Sequence, residues 1–551
     1  MVDVGATPSP SIRPPRTGAR PGARLGVRLL VAAVPLLFGL VLVVWPLAAV
    51  IERSFRDVDT ERLVEVLTRA STRSVLWFTV WQAVVSTAAT LVVGLPIAHA
   101  LARYRFVGRS LVRVVVVVPF VLPTVVVGSA FSQLFARLGA DTRSVIAIVA
   151  AHVFFNVAVV VRVVGGFWAG ADRRQEEVAA ALGAGPLRTF ALVTVPRLAP
   201  VLAASMVLVF LFSFTSFGVI RILGGPAVAT VETEIHRYAI RRIEFDVAAA
   251  LSLLQLVVVS LLAAVSAGFQ RRVASAQRGR RRPTARPLRT PMERLHLSLV
   301  LALIAAVVVA PLAVLIEGSL AVDGGYGIGH YRRLFVDGDL LPVSAARALA
   351  TSVLFAAMAA GVAVVVGMLA ALAVTAGGRI GAALETLTLV PLGVSAVTLG
   401  FGYLLAFTMF DLRRSIWLVP VAHAVIGLPF VLAAVVPALR SIDPRLREAA
   451  ATLGAAPLRV RLRVDWPLVR PAVATGAGFA AAVSIGEFGA TSFLSRDASA
   501  FTAPLAVFRL VSQPGTLLQG QALALSVVIG VVVATIAAVI EWRRPTGVTL
   551  L

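Results

Sequence analysis

The chain has 551 residues, of which 59% are hydrophobic and only 14% are charged. Twelve spans of about 20 residues need about 240 apolar positions, and this composition supplies them, so it indicates a polytopic membrane protein. Cysteine and lysine are both absent. The missing cysteine excludes disulfides, thiolate metal sites and cysteine nucleophiles, and the missing lysine excludes a Walker A phosphate loop.

The formal net charge is +24. In a soluble protein this charge would suggest nucleic acid, but here the arginines cluster at the ends of apolar runs, as the positive-inside rule predicts. We therefore expect the lipid bilayer as a partner and no nucleic acid.

In chain order, residues 1–28 are rich in Pro, Gly and Arg and contain no apolar run, so they are predicted to be a disordered cytoplasmic tail. Six apolar runs fall in residues 29–269 and six in residues 295–551. The Arg- and Pro-rich segment 270–294 between them is predicted to be a cytoplasmic linker. The predicted fold is an all-α membrane protein with about 12 transmembrane helices in two homologous six-helix domains. The apolar runs are Leu29–Ile51, Val75–Ala102, Leu111–Leu134, Val145–Val164, Val201–Leu223, Ala248–Phe269, Leu295–Leu315, Ala348–Val374, Leu384–Phe410, Ile416–Leu439, Ala472–Leu494 and Ala522–Ile540.

The distribution of arginine predicts the orientation of the chain. The Arg-dominated segments include the N-terminal tail, Arg103–Arg113, the linker and Arg543–Arg544, and all of them fall on one side of the predicted spans. We expect a multi-pass protein of the plasma membrane with both termini in the cytoplasm.

Two polar segments, 172–200 and 443–471, interrupt the apolar pattern and align without a gap. Glu177 and Glu448 are 271 residues apart, and so are Gly183 and Gly454. A repeat that keeps its register over a whole segment indicates an internal duplication.

Each segment is predicted to contain a short amphipathic helix. Asp172 and Asp443 suit the N-cap position, and a run of alanine favours the helix. Gly183 and Gly454 are predicted C-caps, each followed three residues later by a proline that prevents continuation. One such segment alone could be an ordinary surface helix, but two copies in register favour a shared function.

The pattern E-x-A-x-x-x-G, nine residues, then V-x-x-P resembles the EAA loop of ABC importer permeases of type I. The first copy departs from the pattern at Val178, where the family usually has its first alanine. The resemblance implies that these loop residues dock on an ATPase: Glu177, Ala179, Gly183, Pro196, Glu448, Ala449, Ala450, Gly454 and Pro467.

This resemblance implies two permease domains in one chain, a cytoplasmic ABC ATPase dimer and an extracytoplasmic solute-binding protein. The chain itself is then no enzyme, needs no cofactor, and leaves ATP hydrolysis to partner subunits. A secondary transporter with two parallel six-span halves is the alternative of another class, but it would not need matched cytoplasmic helices.

Beyond the loops, the whole chain after residue 28 is similar to the fused thiamine/iron(III) permease group. The segments 216–239 and 484–525 resemble outer loops of thiamine permeases, including a Gly-Gly-Pro turn followed by Ala-Thr-x-Glu. The resemblance therefore implies thiamine as the solute, with ferric iron as the alternative.

Three residues are candidates for the translocation path or its gate. Phe217 and Phe488 are 271 residues apart, so pairing across the halves would place both near the pseudo-twofold axis. Glu487 is an ionisable group at the end of a span, where it could reach water or stabilise a cation in a narrow path. Thiamine and ferric iron would benefit equally from this charge.

No metal site is predicted. His99 and His152 have no partner at metal-ligand spacing, so a structural hydrogen bond is the expected role of each.

Overall fold

A computed structural model describes residues 31–56, 60–171, 174–225, 228–277, 285–322, 324–407, 415–495 and 497–542. The predicted N-terminal tail, the middle of the linker, Asp172 and Arg543–Arg544 lie outside the described residues.

The described residues form an almost entirely helical protein. The first half contains α1 to α11: Val31–Arg56, Thr60–Thr68, Ala70–Arg103, Arg109–Val121, Thr124–Arg137, Val145–Ala169, Arg174–Ala181, Phe190–Phe214, Gly218–Leu223, Val231–His236 and Phe245–Gln277. The second half contains α12 to α22: Pro291–Leu320, Gly329–Arg333, Ala345–Ala376, Gly378–Leu389, Ala396–Ala406, Leu418–Arg440, Pro444–Thr452, Pro457–Gly486, Thr491–Leu494, Ala503–Val511 and Thr516–Trp542.

Ten of these helices, within the described residues, are long and apolar enough to cross a membrane, and the bent pair α4 and α5 makes a possible eleventh span. The predicted fold class is confirmed. The predicted runs differ from the structure where a span is broken or shifted along the chain.

The broken spans occur at matching places in the two halves. The run Leu111–Leu134 is divided into α4 and α5, whose axes differ by 106°. Leu122 is extended because the following Pro123 disfavours the helical conformation. The run Leu384–Phe410 is divided in the same way into α15 and α16, with the turn Val390–Gly393 between them. Hydropathy did not reveal these breaks because it measures apolarity rather than backbone direction.

The fifth and eleventh predicted runs start earlier than expected. α8 begins at Phe190 and α19 begins at Pro457, so the second part of each repeat segment continues into the next span. Both helices stop before the predicted end of the run, at Phe214 and Gly486, and short helices α9 and α20 follow.

The first span of each half packs against the other half. The end of α1 packs on α16 of the second half, and the end of α12 packs on α5 of the first half. Tyr403 donates a hydrogen bond from Oη to the carbonyl oxygen of Leu42 at 2.7 Å, and the rings of Trp45 and Phe407 lie 5.3 Å apart. On the other side, Arg137 forms an ion pair with Glu317 at 2.5 Å.

The end of the linker also joins the two halves. The two-residue strand Arg286–Pro287 (β2) pairs in parallel with Tyr104–Arg105 (β1), which directly follows α3. Arg286 forms an ion pair with Glu293 in the first turn of α12. A second two-stranded pair, Ala321–Val322 (β3) with Gly325–Tyr326 (β4), is antiparallel and lies beyond α12.

Substituting Gly402 by alanine tests the packing of the first span against the other half. A Cβ atom there would lie 2.7 Å from the carbonyl oxygen of Pro46, so α1 and α16 would have to separate. We expect Gly402→Ala to destabilise the protein by about 1–3 kcal/mol, because overpacking costs that much in a close-packed core. Thermal unfolding in detergent would measure this loss. Gly361→Ala is the control, since its Cβ would meet no atom within 4 Å. An equal effect of both variants would contradict the prediction.

Candidate functional site: the loop helices and the cluster between the halves

The two loop helices, α7 and α18, have no buried residue among the residues whose burial is described. Glu177 and Glu448 are both exposed, and neither forms an ion pair within the described part of the chain. Leu182 and Leu453 occupy equivalent positions and are 82% and 88% exposed. Each loop therefore presents a carboxylate and a large apolar side chain on a surface that the chain itself leaves uncovered.

The described ends of the two helices are capped as predicted, whereas the predicted N-cap Asp172 lies outside the described residues. The Asp443 carboxylate accepts a hydrogen bond from the Arg445 backbone N–H at 3.0 Å. Gly183 and Gly454 adopt left-handed conformations, with φ of +82° and +79°. The next residue in each copy donates its N–H to a carbonyl five residues back, which completes a Schellman motif. These caps define where each loop helix ends.

Each loop helix is anchored by a polar contact to the span that follows it. In the first half, Glu176 forms an ion pair with Arg103 at 2.6 Å and accepts a hydrogen bond from Thr194 at 3.3 Å. In the second half, Arg447 pairs with Asp465 at 2.8 Å. The two contacts join equivalent positions in the two halves. The residue on the loop helix is acidic in the first half and basic in the second. Sequence reasoning missed these contacts, although the exchange of Glu176 for Arg447 between aligned copies was a visible signal.

The remaining predicted docking residues lie around these anchors. Ala179 and Ala450 are half-buried on the face towards the protein, and Ala449 is exposed. Pro196 and Pro467 are exposed within the first turns of the α-helical parts of α8 and α19. They follow the π-helical turns Phe190–Thr194 and Arg461–Asp465.

A cavity of about 300 Å³ lies beneath α7. Its lining includes the rings of His99, Trp168 and Phe190 and the Glu176 carboxylate. The His99 Nδ1 and His296 Nε2 atoms lie 3.3 Å apart, so His99 takes part in a polar contact between the halves. Among the described residues no group of three or more metal-binding side chains is present.

Phe217 and Phe488 meet at the boundary between the halves. Their rings stack with centroids 5.3 Å apart and an interplanar angle of 25°, and both side chains are buried. His236 contacts Phe217 at 5.3 Å, and Phe508 contacts Phe488 at the same distance. We call the rings of Phe217, His236, Phe488, Phe493 and Phe508 the aromatic cluster.

The structure places Glu487 beside this cluster but directs its carboxylate into the protein. The carboxylate accepts hydrogen bonds from the backbone N–H groups of Ala490 at 2.8 Å and Thr491 at 2.9 Å, and from the Thr491 hydroxyl at 2.6 Å. His423 Nε2 lies 3.2 Å from Oε2. The side chain is buried, and it caps the short helix α20 that follows the end of α19.

The first half has a related polar network without a carboxylate. Ser86 Oγ lies 3.0 Å from Nδ1 of His152, which is the repeat equivalent of His423. Asn156 donates to Ser213 at 3.2 Å, and Ser213 is equivalent to Ser484, which contacts His423 at 2.8 Å. His152 thus has the structural hydrogen bond expected from the sequence.

Comparison with known proteins identifies the family. The family model of the binding-protein-dependent transport system inner membrane component matches residues 90–279 and 363–543. The chain is 28% identical to the thiamine transport system permease protein of Brucella abortus, over 82% of this chain and 84% of that protein. It is 25% identical to a probable ABC transporter permease protein of Sinorhizobium fredii, over 77% and 79%.

A third relative covers a single half. The molybdenum transport system permease protein of Mycobacterium tuberculosis is 34% identical over 41% of this chain and 89% of its own length. The family model matches twice, and the two matches together span more than half of the chain. The duplication seen in the loops therefore extends over both halves, and the chain belongs to the inner membrane components of binding-protein-dependent transport systems, the permeases of ABC importers.

Proposed function

We propose that this chain forms the whole translocation path of an ATP-driven importer whose solute is thiamine. The observation that carries the proposal is the pair of exposed loop helices, each anchored to the span that follows it. A force applied to α7 or α18 would pass through Glu176 or Arg447 to α8 or α19. Thiamine is favoured because relatives named as thiamine permeases match both halves.

The partners in this proposal are two cytoplasmic ATPase subunits and an extracytoplasmic solute-binding protein. The ATPases would bind α7 and α18, with Glu177, Glu448, Leu182 and Leu453 at the contact. Exposed charges beside apolar side chains suit a protein interface in which charge sets orientation and apolar area supplies affinity. ATP hydrolysis would occur in those subunits, since a chain without lysine cannot build a Walker A motif.

The membrane in this proposal is the cytoplasmic membrane, with both termini and both loop helices on the cytoplasmic side. Arg-rich segments near the span ends support this orientation. The binding protein would deliver its solute on the opposite side, and the stacked Phe217 and Phe488 rings would form the gate of the path.

Charge reversal tests the docking surface. We expect Glu177→Arg combined with Glu448→Arg to weaken binding of the ATPase on the order of tenfold, because two carboxylates at the contact become cations. Affinity for the purified ATPase in detergent would measure the change. Glu61→Arg is a control, since Glu61 is an exposed carboxylate in α2, on the side assigned to the binding protein. Unchanged binding of the ATPase by the double variant would refute the docking assignment.

Removing the stacked rings tests the gate. We expect Phe217→Ala with Phe488→Ala to change the rate of transport several-fold and to permit solute leakage without ATP, because two large rings no longer close the path. Uptake into proteoliposomes with and without ATP would show this. The control removes Phe430 and Phe479, a stacked pair within the second half whose centroids are 6.2 Å apart. An unchanged transport rate in the Phe217 and Phe488 variant would rule out the gate.

Deletion of the gene tests the solute. We expect cells without it to lose most uptake of labelled thiamine supplied at nanomolar concentration and fixed iron supply, and to recover it when the gene is restored. If thiamine uptake is unchanged while uptake of labelled ferric iron falls, the importer carries iron and the thiamine assignment is wrong.

A further inference from the structure

A second carboxylate, Glu232, is buried between the halves and differs from Glu487 in its surroundings. It lies in the first turn of α10, and its exposed fraction is 1%. α10 packs against α3 and α11 of its own half and against α16 of the other half. Glu232 therefore lies at the boundary along which the two halves meet.

Two uncharged polar side chains lie near the Glu232 carboxylate. Gln255 donates a hydrogen bond from Nε2 to the Glu232 Oε1 atom. The Ser395 side chain of the second half is also a neighbour of the carboxylate. The Ser395 oxygen already accepts from Val397 and Thr398 backbone N–H groups at 3.1 and 3.2 Å, which leaves its proton to donate to Glu232.

The Glu232 carboxylate can also accept further hydrogen bonds. Its Oε2 atom is buried, and within the described part of the chain this atom has no hydrogen-bond partner and the residue forms no ion pair. The Glu487 carboxylate, by contrast, accepts three hydrogen bonds and faces His423. Of these two buried carboxylates, Glu232 is the one with an oxygen that has no hydrogen-bond partner and could contact a ligand.

Only the first half carries a carboxylate at this position. The Val231 N–H donates a hydrogen bond to the Thr79 hydroxyl at 3.1 Å, and the Ala503 N–H donates likewise to the Ser352 hydroxyl at 2.8 Å. These matching bonds align α10 with α21 and make Pro504 the equivalent of Glu232. The fold does not need a carboxylate there, because the second half builds the same turn with proline.

Glu232 is also close to the aromatic cluster along the chain. His236 follows it by four residues, one helical turn later, and its ring contacts Phe217 at 5.3 Å and Phe493 at 5.2 Å. A carboxylate one helical turn from a group of aromatic rings suits an organic cation, since the ring faces and the charge both attract positive groups.

We propose that Glu232 binds the positive charge of an organic cation in the translocation path. Binding occurs when the two halves separate between Glu232 and Ser395. This inference rests on the proposed function, because thiamine carries a permanent positive charge. Parting of the halves exposes Oε2, and Gln255 holds the carboxylate in place. When the cation leaves, the halves close again and Ser395 lies beside the carboxylate.

A cation site explains why a carboxylate without a cationic partner is retained in the interior. Burying an ionisable group without a charged partner is costly, so such a group is a candidate for a function. In type I geometry, with two parallel halves, movement of one half against the other opens a site between them, and Glu232 and Ser395 come from opposite sides of that boundary.

The test compares substitutions that separate charge from hydrogen bonding, in the complete complex reconstituted with its ATPase and binding protein. Glu232→Gln keeps the shape and the hydrogen-bonding capacity but removes the charge, and we expect uptake of labelled thiamine to fall on the order of tenfold or more. Glu232→Asp keeps the charge and should retain more uptake than the Gln variant. Ser395→Ala removes the contact between the halves but not the charge, and uptake should change by less than about threefold.

The ATPase activity that the loaded binding protein stimulates provides the readout for assembly, and it should persist in Glu232→Gln. Wild-type uptake by Glu232→Gln would overturn the inference and leave the proposed function intact. So would equal losses of uptake in Glu232→Gln and Ser395→Ala, because the role would then be the hydrogen bond alone. Absence of thiamine uptake by the unsubstituted complex would overturn the proposed function, and this inference with it.

Discussion

The packing of each half's first span on the broken span of the other half holds the two halves of this permease together. α1 lies on α16 and α12 lies on α5, so neither half buries its own broken span without the other. Gly402 permits this contact, because any side chain there would meet the backbone of Pro46. The aromatic cluster and Glu232 lie at the boundary that this packing creates. The fold and the boundary at which we propose the path therefore depend on the same contact.

Broken helices at membrane depth require internal partners for the backbone groups that they free. This protein supplies them with short side chains and one carboxylate. Ser395 accepts from two N–H groups at the start of α16, and Glu487 accepts from two at the start of α20. The role of Glu487 seen in the structure is thus to stabilise a helix start. Its predicted place in the path remains a prediction, and the structure directs its oxygens away from the stacked rings.

Much of this arrangement could be predicted from one sequence because it is duplicated. The constant separation between Glu177 and Glu448 identified the loops, and the same separation brought Phe217 and Phe488 together as candidates that the structure shows in contact. The breaks at Pro123 and around Pro391 were missed, since hydropathy averages over the turn. Glu232 appeared in the sequence only as the last residue of the Ala-Thr-x-Glu motif. Its possible role was missed because that role depends on Gln255 and Ser395, which are distant from it in the chain.

The two halves are covalently joined by a linker whose end pairs with Tyr104–Arg105 of the first half, and the covalent link has a genetic consequence. A permease built from two copies of one gene product must carry every substitution twice, once on each side of the axis. A fused gene lets one side change alone and fixes the ratio of the two halves at one to one. Glu232 opposite Pro504, and Glu176 opposite Arg447, are differences that two identical subunits could not maintain.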